Sequence, residues 1–128
     1  MKLTSIVLTD LTNEYNQALD TSRLPKIMEM LQYSINDGTL LGELLVDGYQ
    51  SSPVISLSNV SHQITNIKLE ENKIIADINV LDTPKGRILK DLINNKFNYN
   101  PVIRGLQSGH RLDEICTWDI QVKPNSNK

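Results

Sequence analysis

The sequence predicts an α+β domain, in which a mostly antiparallel β-sheet or partial barrel is combined with two helices. Short β-branched runs with alternating polarity recur along the chain, and two apolar stripes at helical spacing each begin beside a proline. The length of 128 residues is enough for one hydrophobic core and too short for two. We therefore expect a single domain over residues 1–123 and a polar C-terminal tail over residues 124–128.

The predicted strands are apolar or alternating segments bounded by turn-forming residues. They cover residues 3–9, 39–46, 62–69, 73–81, 99–106 and 112–122. The clearest pair is a hairpin around residues 70–72, whose second strand carries apolar side chains at alternate positions from Ile74 to Val80. In the last strand Cys116 alternates in phase with Trp118, which predicts a thiol in the core.

Each predicted helix has a recognisable start. Pro25 suits a first helical turn, and Gly38 suits the left-handed residue that ends the helix. The apolar stripe of this helix is Leu24, Ile27, Met28, Leu31 and Ile35. Thr83 is placed to cap the second helix, and Pro84 occupies its first position. The predicted buried stripe of the second helix is Ile88, Leu89, Leu92 and Ile93.

Composition excludes several classes of function. The net charge of −2 argues against non-specific nucleic-acid binding, which needs a basic surface. Cys116 is the single cysteine, so we expect no internal disulfide and no zinc site built with His62 and His110. We predict no cofactor. No segment has the length and apolar character of a membrane span or the pattern of a signal peptide, so we expect no membrane association.

Six short motifs follow one another from residue 23 onward. They are Arg23–Lys26, Leu41–Leu44, Asn59–Ile64, Leu81–Lys90, Arg104–Leu106 and Thr117–Ser126. In this order and at these spacings they resemble motifs of the prohead, or capsid maturation, proteases of tailed phages, which are similar to the herpesvirus assemblins. The resemblance implies a prohead-protease-like fold, a location in the virion, and the host cytoplasm as the compartment during assembly.

The chain departs from that family at the catalytic positions. The family's histidine follows Gly-Glu-Leu-x, and after the retained Gly42, Glu43 and Leu44 the matching position here is Val46. The family's nucleophile precedes Arg-Gly, and before the retained Arg104 and Gly105 the matching positions are Val102 and Ile103. Valine and isoleucine can neither accept a proton nor attack a carbonyl. The resemblance therefore implies a pseudo-protease without catalytic residues rather than an enzyme.

A displaced catalytic site is the alternative to test. Ser61 and His62 are neighbours in a predicted strand, so their side chains should point to opposite faces and not pair. We expect His62 to be satisfied by the backbone. Ser108, Gly109 and His110 fit an ordinary hairpin loop.

The remaining charged residues near the motifs have ordinary interpretations. We expect Glu43 and Asp47 to be surface charges, since no acid–base partner or metal-ligand spacing accompanies them. Arg104, without a nucleophile beside it, should hold a carboxylate or fix a turn.

Three functions are compatible with this sequence. The first is a structural virion protein, an auxiliary, decorating or head-associated capsid protein that binds the major capsid protein, other head proteins or itself. Phe97, Tyr99 and Pro101 are its candidate contact residues, and they fit a core role equally well. The second is a divergent serine protease that processes scaffold or capsid precursors. The third is a pseudo-protease that regulates head assembly.

Overall fold

The computed structural model describes residues 1–11, 22–45, 55–108 and 111–123. The predicted C-terminal tail and residues 46–54 lie outside the described part of the chain. The described strands are β1 (Lys2–Asp10), β2 (Leu41–Leu45), β3 (Val60–Glu70), β4 (Lys73–Val80), β5 (Asn98–Ser108) and β6 (Arg111–Lys123). The helices are α1 (Leu24–Asp37) and α2 (Pro84–Asn94), and a short 3-10 turn spans Leu57–Asn59.

The six strands form one curled sheet in the order β1-β4-β3-β2-β6-β5. All neighbouring strands are antiparallel except β2 and β6, which run parallel where Leu44 lies opposite Ile120. The curl brings β1 and β5, at opposite ends of the strand order, into contact. Trp118 Nε1 of β6 donates a hydrogen bond of 2.8 Å to Thr9 Oγ1 of β1 across this gap. The predicted α+β half-barrel with two helices is therefore confirmed.

The core fills the concave side of the curled sheet and is closed by both helices. The hairpin prediction is confirmed, because the alternating positions Ile74, Ala76, Ile78 and Val80 of β4 are buried and the turn falls at Glu71 and Asn72. In α1 the predicted stripe also faces the core. Leu24, Ile27 and Leu31 are buried, and Met28 and Ile35 pack at its edge.

One position of the second helical stripe was predicted wrongly. Leu89 of α2 is completely buried, whereas Ile88 is 46% exposed. The helix turns Gly86, Leu89 and Ile93 toward the core, at spacings of three and four residues. Ile88 lies about 100° away from Leu89 around the helix axis and so faces outward.

Register shifts interrupt the alternation of side chains at several places in the sheet, and two of these β-bulges concern the motifs. In the β2–β3 pair Gly42 lies opposite His62 but Glu43 lies opposite Val60, so Ser61 is an extra residue in β3. In the β5–β6 pair Arg104 lies opposite Thr117 but Gly105 lies opposite Ile115, so Cys116 is an extra residue in β6. Both bulges lie opposite motif residues, the first opposite Gly42 and Glu43 and the second opposite Arg104 and Gly105.

The second bulge overturns the prediction for Cys116. Because the extra residue shifts the alternation by one position, Ile115 takes the core place that Cys116 was expected to occupy. The Cys116 thiol is only partly buried, and its sulfur lies 3.9 Å from Glu114 Oε1. Its pKa is raised, chiefly by partial burial and also by the neighbouring negative charge of Glu114.

The start of α2 is fixed by the predicted cap, and this contact gives the first testable prediction. Thr83 Oγ1 accepts a hydrogen bond of 2.9 Å from Gly86 N–H and donates one of 2.5 Å to the Val60 carbonyl. We expect Thr83→Ala to lower the free energy of unfolding by about 1–2 kcal/mol in urea denaturation, because the helix loses its cap.

Thr65→Ala is the matched control. The Thr65 hydroxyl makes one exposed hydrogen bond, of 3.3 Å, to the Asp77 carbonyl. Its loss should change stability by no more than about 0.5 kcal/mol. Equal losses in the two variants would show that the cap makes no special contribution.

Candidate functional site

The buried polar side chains of the described residues gather where β2, β3, β5 and β6 meet. They are Glu43, Ser61, His62, Arg104, Thr117 and Asp119, each at most 3% exposed. All six belong to the short motifs of the sequence, and Glu43 and Arg104 belong to the Gly-Glu-Leu and Arg-Gly segments. This cluster is the candidate site.

An ionic group of three side chains forms the centre of the cluster. Arg104 Nε donates to Asp119 Oδ2 over 2.9 Å, and Arg104 Nη2 lies 3.5 Å from Glu43 Oε1. The other Asp119 oxygen, Oδ1, accepts the backbone N–H of Glu43 at 2.9 Å. One guanidinium therefore joins carboxylates from two other strands.

These contacts decide two of the sequence predictions. The expectation that Arg104 holds a carboxylate is confirmed. The expectation that Glu43 is a surface charge is wrong, because its side chain is completely buried. A buried carboxylate needs both a countercharge and hydrogen-bond donors, and Arg104 supplies the first.

A backbone donor from outside the sheet completes the surroundings of Glu43. Glu43 Oε2 accepts the N–H of Ser56 at 2.7 Å. Ser56 immediately precedes the 3-10 turn, so this bond holds the turn against β2. The cluster thus also positions a connecting segment, as well as the strands.

Ser61 and His62 form a second group beside the ionic one. Ser61 Oγ lies 2.7 Å from His62 Nδ1, and His62 Nε2 lies 2.8 Å from the Trp118 carbonyl oxygen. A carbonyl can only accept, so Nε2 carries the proton and donates it. In neutral His62 the Nδ1 atom then accepts a hydrogen bond from the Ser61 hydroxyl.

The prediction that Ser61 and His62 cannot pair is therefore wrong. It assumed regular strand alternation, and Ser61 is the bulged residue, so the two side chains are free to turn toward one another. The expected backbone contact of His62 is present, through Trp118. The hydrogen bond from the Ser61 hydroxyl is a second contact of the same imidazole.

His62 is held in its neutral form. Burial lowers its pKa below the ordinary value of 6.5, because charging a desolvated imidazole is unfavourable. The hydrogen bond to the Trp118 carbonyl and the negative charge of Asp119 act in the opposite direction but are smaller effects.

The two retained glycines are required by close approach. A Cβ atom at Gly42 would overlap both His62 Nε2 and the Trp118 carbonyl oxygen. A Cβ atom at Gly105 would overlap the Glu114 carbonyl oxygen, next to the Cys116 bulge. Each glycine therefore lets a bulged partner strand lie close to its backbone.

The positions predicted from the resemblance to match catalytic residues do not contribute reactive groups to this cluster. Val102 lies opposite Asp119 and is half-buried, and Ile103 lies opposite Trp118 and is 39% exposed. Val46, Asp47 and His110 fall outside the described residues. The hairpin loop predicted at Ser108, Gly109 and His110 is likewise not described beyond the backbone of Ser108.

The candidate contact residues lie along β5 and just before it. Phe97, Tyr99 and Pro101 are each half-buried, and Tyr99 packs against the edge of the core. Their role as partner contacts stays a prediction.

The contacts of the Ser61–His62 pair resemble those of a catalytic nucleophile and its general base, with the Trp118 carbonyl orienting the imidazole. Both side chains are 0% exposed. A substrate carbonyl cannot reach Ser61 Oγ unless the β2–β3 bulge opens. In the described conformation the pair is a structural hydrogen bond.

Sequence reasoning missed Asp119 and the pairing of Ser61. Asp119 had a signal, because an arginine expected to hold a carboxylate needs one within reach, and Asp119 lies in the predicted strand that follows the strand of Arg104. The Ser61 bulge has no such signal. It becomes visible only from the register of β2 against β3.

Comparison with known proteins places the fold. No protein-family model matches the sequence, and no curated protein matches it. Among solved structures the chain is similar to the capsid assembly protease gp21 of bacteriophage T4, with a TM-score of 0.63 and 12% sequence identity. The match covers 94% of this chain and 79% of the T4 protein. The chain therefore has a prohead-protease-like fold.

Among the described residues, neither helix is long and apolar enough to cross a membrane.

The ionic group gives the second prediction. Arg104→Met would leave Glu43 and Asp119 as buried carboxylates without their cation. We expect the free energy of unfolding to fall by about 3–5 kcal/mol, which urea denaturation would measure. If that variant does not fold, the combined change Glu43→Leu, Arg104→Met and Asp119→Leu should restore folding, because it removes all three charges together.

Arg87→Met is the matched control for the ionic group. Arg87 Nε lies 2.7 Å from Asp82 Oδ1, a shorter contact than the one between Arg104 and Asp119, but both side chains are exposed to solvent. We expect no measurable loss, since water already solvates both charges. Arg104→Met as stable as the native chain would contradict a structural role for the cluster.

His62 gives the third prediction, a pH dependence. Because its pKa is lower in the folded state, the unfolded chain binds the proton more readily, and the free energy of unfolding should fall as pH drops below about 6.5. The fall should continue until the lowered pKa is reached. His62→Gln should flatten this part of the profile, measured by urea denaturation at a series of pH values.

The chain's other histidine provides the control for this measurement. His110→Gln keeps His62, so its profile should retain the native slope below pH 6.5. A native slope that survives in His62→Gln would show that another group is responsible.

Proposed function

We propose that this chain is a non-enzymatic structural protein of a phage virion, an auxiliary, decorating or head-associated capsid protein on a degenerate prohead-protease fold. The observation that carries the proposal is that the motifs contain two kinds of position, which differ in what this chain has kept. The retained residues are needed for packing, whereas the positions that match the catalytic residues are aliphatic.

Packing alone accounts for the retained residues. Gly42 and Gly105 leave room for the backbone and side chains opposite the two bulges. Glu43 and Arg104 belong to the buried ionic group, and Leu44 lies in the core. Loss of any of them would damage the fold, so their presence does not require catalysis.

The matching catalytic positions lack reactive atoms. Val102 and Ile103 lie beside Arg104 on β5 and offer only aliphatic carbon. Val46 follows Leu44 by two residues, where the family has its histidine. A pseudo-protease with an intact scaffold is the function that this pattern supports best.

The divergent-protease alternative would have to use Ser61 and His62. Their geometry resembles a nucleophile and base, but both are completely buried. His62 is also tied to the Trp118 carbonyl, so it cannot turn toward a substrate without leaving the core. Burial of the pair argues against this alternative.

The phage context is supported by the fold. The T4 protein of similar structure is a capsid assembly protease. For this chain we propose the virion as the location, with the host cytoplasm as its compartment during assembly. Its partners would be the major capsid protein or other head proteins, contacted through the β5 side where Phe97, Tyr99 and Pro101 lie.

Quantitative mass spectrometry of purified particles tests the structural role and is the fourth prediction. We expect this chain at a simple fraction of the copy number of the major capsid protein, because a shell component follows the symmetry of the shell. Absence from mature particles, with presence in assembling heads, would instead support the regulator of head assembly.

A serine-directed fluorophosphonate probe separately tests the lack of catalysis. We expect no labelling of the folded chain, while an active serine hydrolase in the same sample is labelled. Ser61→Ala is the matched control. Labelling of the native chain that disappears in Ser61→Ala would overturn the non-enzymatic assignment.

A further inference from the structure

A groove of about 580 Å³ lies between α1 and the first part of β6. Its floor is apolar, formed by the buried side chains of Ile27, Leu31 and Ile115. Its two rims carry opposite charges. Lys26 lies on the helix side, and Glu114 lies on the strand side.

Exposed apolar side chains stand beside this groove. Met30, at its mouth, is 56% exposed, and Tyr33 is 63% exposed one turn further along α1. Residues three apart lie on one side of a helix, so the two side chains form a continuous ridge. Methionine and tyrosine are enriched in the centres of protein interfaces. One face therefore carries both a ridge and a groove.

We propose that this face, defined by Met30, Tyr33 and the groove between α1 and β6, binds a second copy of this chain about a twofold axis. A twofold contact uses the same surface on both partners, so that surface must fit itself. The ridge of each copy would pack against the strand side of the other copy's groove. This inference is independent of the proposed virion role.

The rim charges select one twofold arrangement. A twofold axis perpendicular to the groove would place α1 of one copy over α1 of the other. Lys26 of each copy would then face the helix side of the other groove and not Glu114. An axis along the groove places α1 of each copy over β6 of the other, so that Lys26 faces Glu114 twice. Lys26 also lies 3.1 Å from Glu29, but that pair is exposed and readily exchanged.

The size of the face sets the expected strength. A helix of 14 residues is about 21 Å long, and helix plus groove are roughly 20 Å wide. Each copy would bury about 400 Å², or about 800 Å² in total, which is below the usual range for stable complexes. We therefore expect a weak dimer, in the micromolar to millimolar range.

Sedimentation velocity of the full chain over that concentration range is the fifth prediction. The native chain should shift from monomer to dimer, and Met30→Glu should raise the dissociation constant at least about tenfold, because it places a charge on the ridge. Leu57→Glu is the matched control. Leu57 is 77% exposed and does not line the groove, so this change should leave the dissociation constant unchanged.

Charge exchange tests the direction of the axis. Lys26→Glu alone and Glu114→Lys alone should each weaken self-association, by roughly tenfold, because each creates two like-charge contacts. An equimolar mixture of the two variants should associate again, since opposite charges then meet at both rims. Rescue in the mixture would not follow from a general effect on folding.

Cys116 provides an independent readout, since its thiol lines the same groove and is the single cysteine of the chain. Its alkylation rate should fall as native protein is concentrated and stay constant for Met30→Glu. A monomer at every concentration would overturn the proposal. A dimer that Met30→Glu leaves intact would also overturn it, because association would then use another face.

Discussion

The fold depends on the neutralisation of two buried carboxylates by Arg104. Glu43 and Asp119 come from β2 and β6, and Arg104 comes from β5, so the ionic group joins three neighbouring strands. Charges without water are tolerated only where a countercharge and hydrogen-bond donors meet them. The ionic group therefore fixes the relative positions of these strands. The parallel pair β2–β6 is held together by side-chain contacts as well as by its short run of backbone pairing.

The two bulges and the two retained glycines act as matched pairs. Gly42 lies opposite His62, next to the extra residue Ser61, and Gly105 lies opposite Ile115, next to the extra residue Cys116. A bulge bends its strand toward the neighbour, and the glycine provides the space. The first bulge also turns Ser61 and His62 toward each other. The same device therefore bends the sheet and forms the polar pair.

Regular burial made most of the fold predictable from the sequence. The strand β4 and the helix α1 were found because their apolar residues repeat at the period of the element. The cap at Thr83 was found because it is a local contact within a few residues. For the site, Arg104 was expected to hold a carboxylate or fix a turn because no nucleophile stands beside it, and the first of these is confirmed.

The rest of the site depends on contacts between residues distant in sequence and on bulges, and no local sequence pattern predicts these. The burial of Glu43 follows from partners distant in sequence, so its own surroundings in the chain suggested a surface charge. The pairing of Ser61 with His62 and the displacement of Cys116 from the core follow from bulges, which shift alternation without a marker in the sequence. Ile88 was misassigned because a stripe of four apolar residues is wider than the face that α2 buries.

The pairing of Glu43 with Asp119 also determines when this chain can fold during its synthesis. The two residues are 76 positions apart, and β6 is the last of the described elements to leave the ribosome. Until β6 emerges, β2 lacks its parallel neighbour. Glu43 then cannot be buried, because the groups that surround it in the folded chain are not yet in place. The hairpin of β3 and β4 can form earlier from local contacts, but the half-barrel is complete only after β6 has been synthesised. Folding is therefore a late event, and a ribosome-bound chain that stops short of β6 exposes its apolar strands to chaperones.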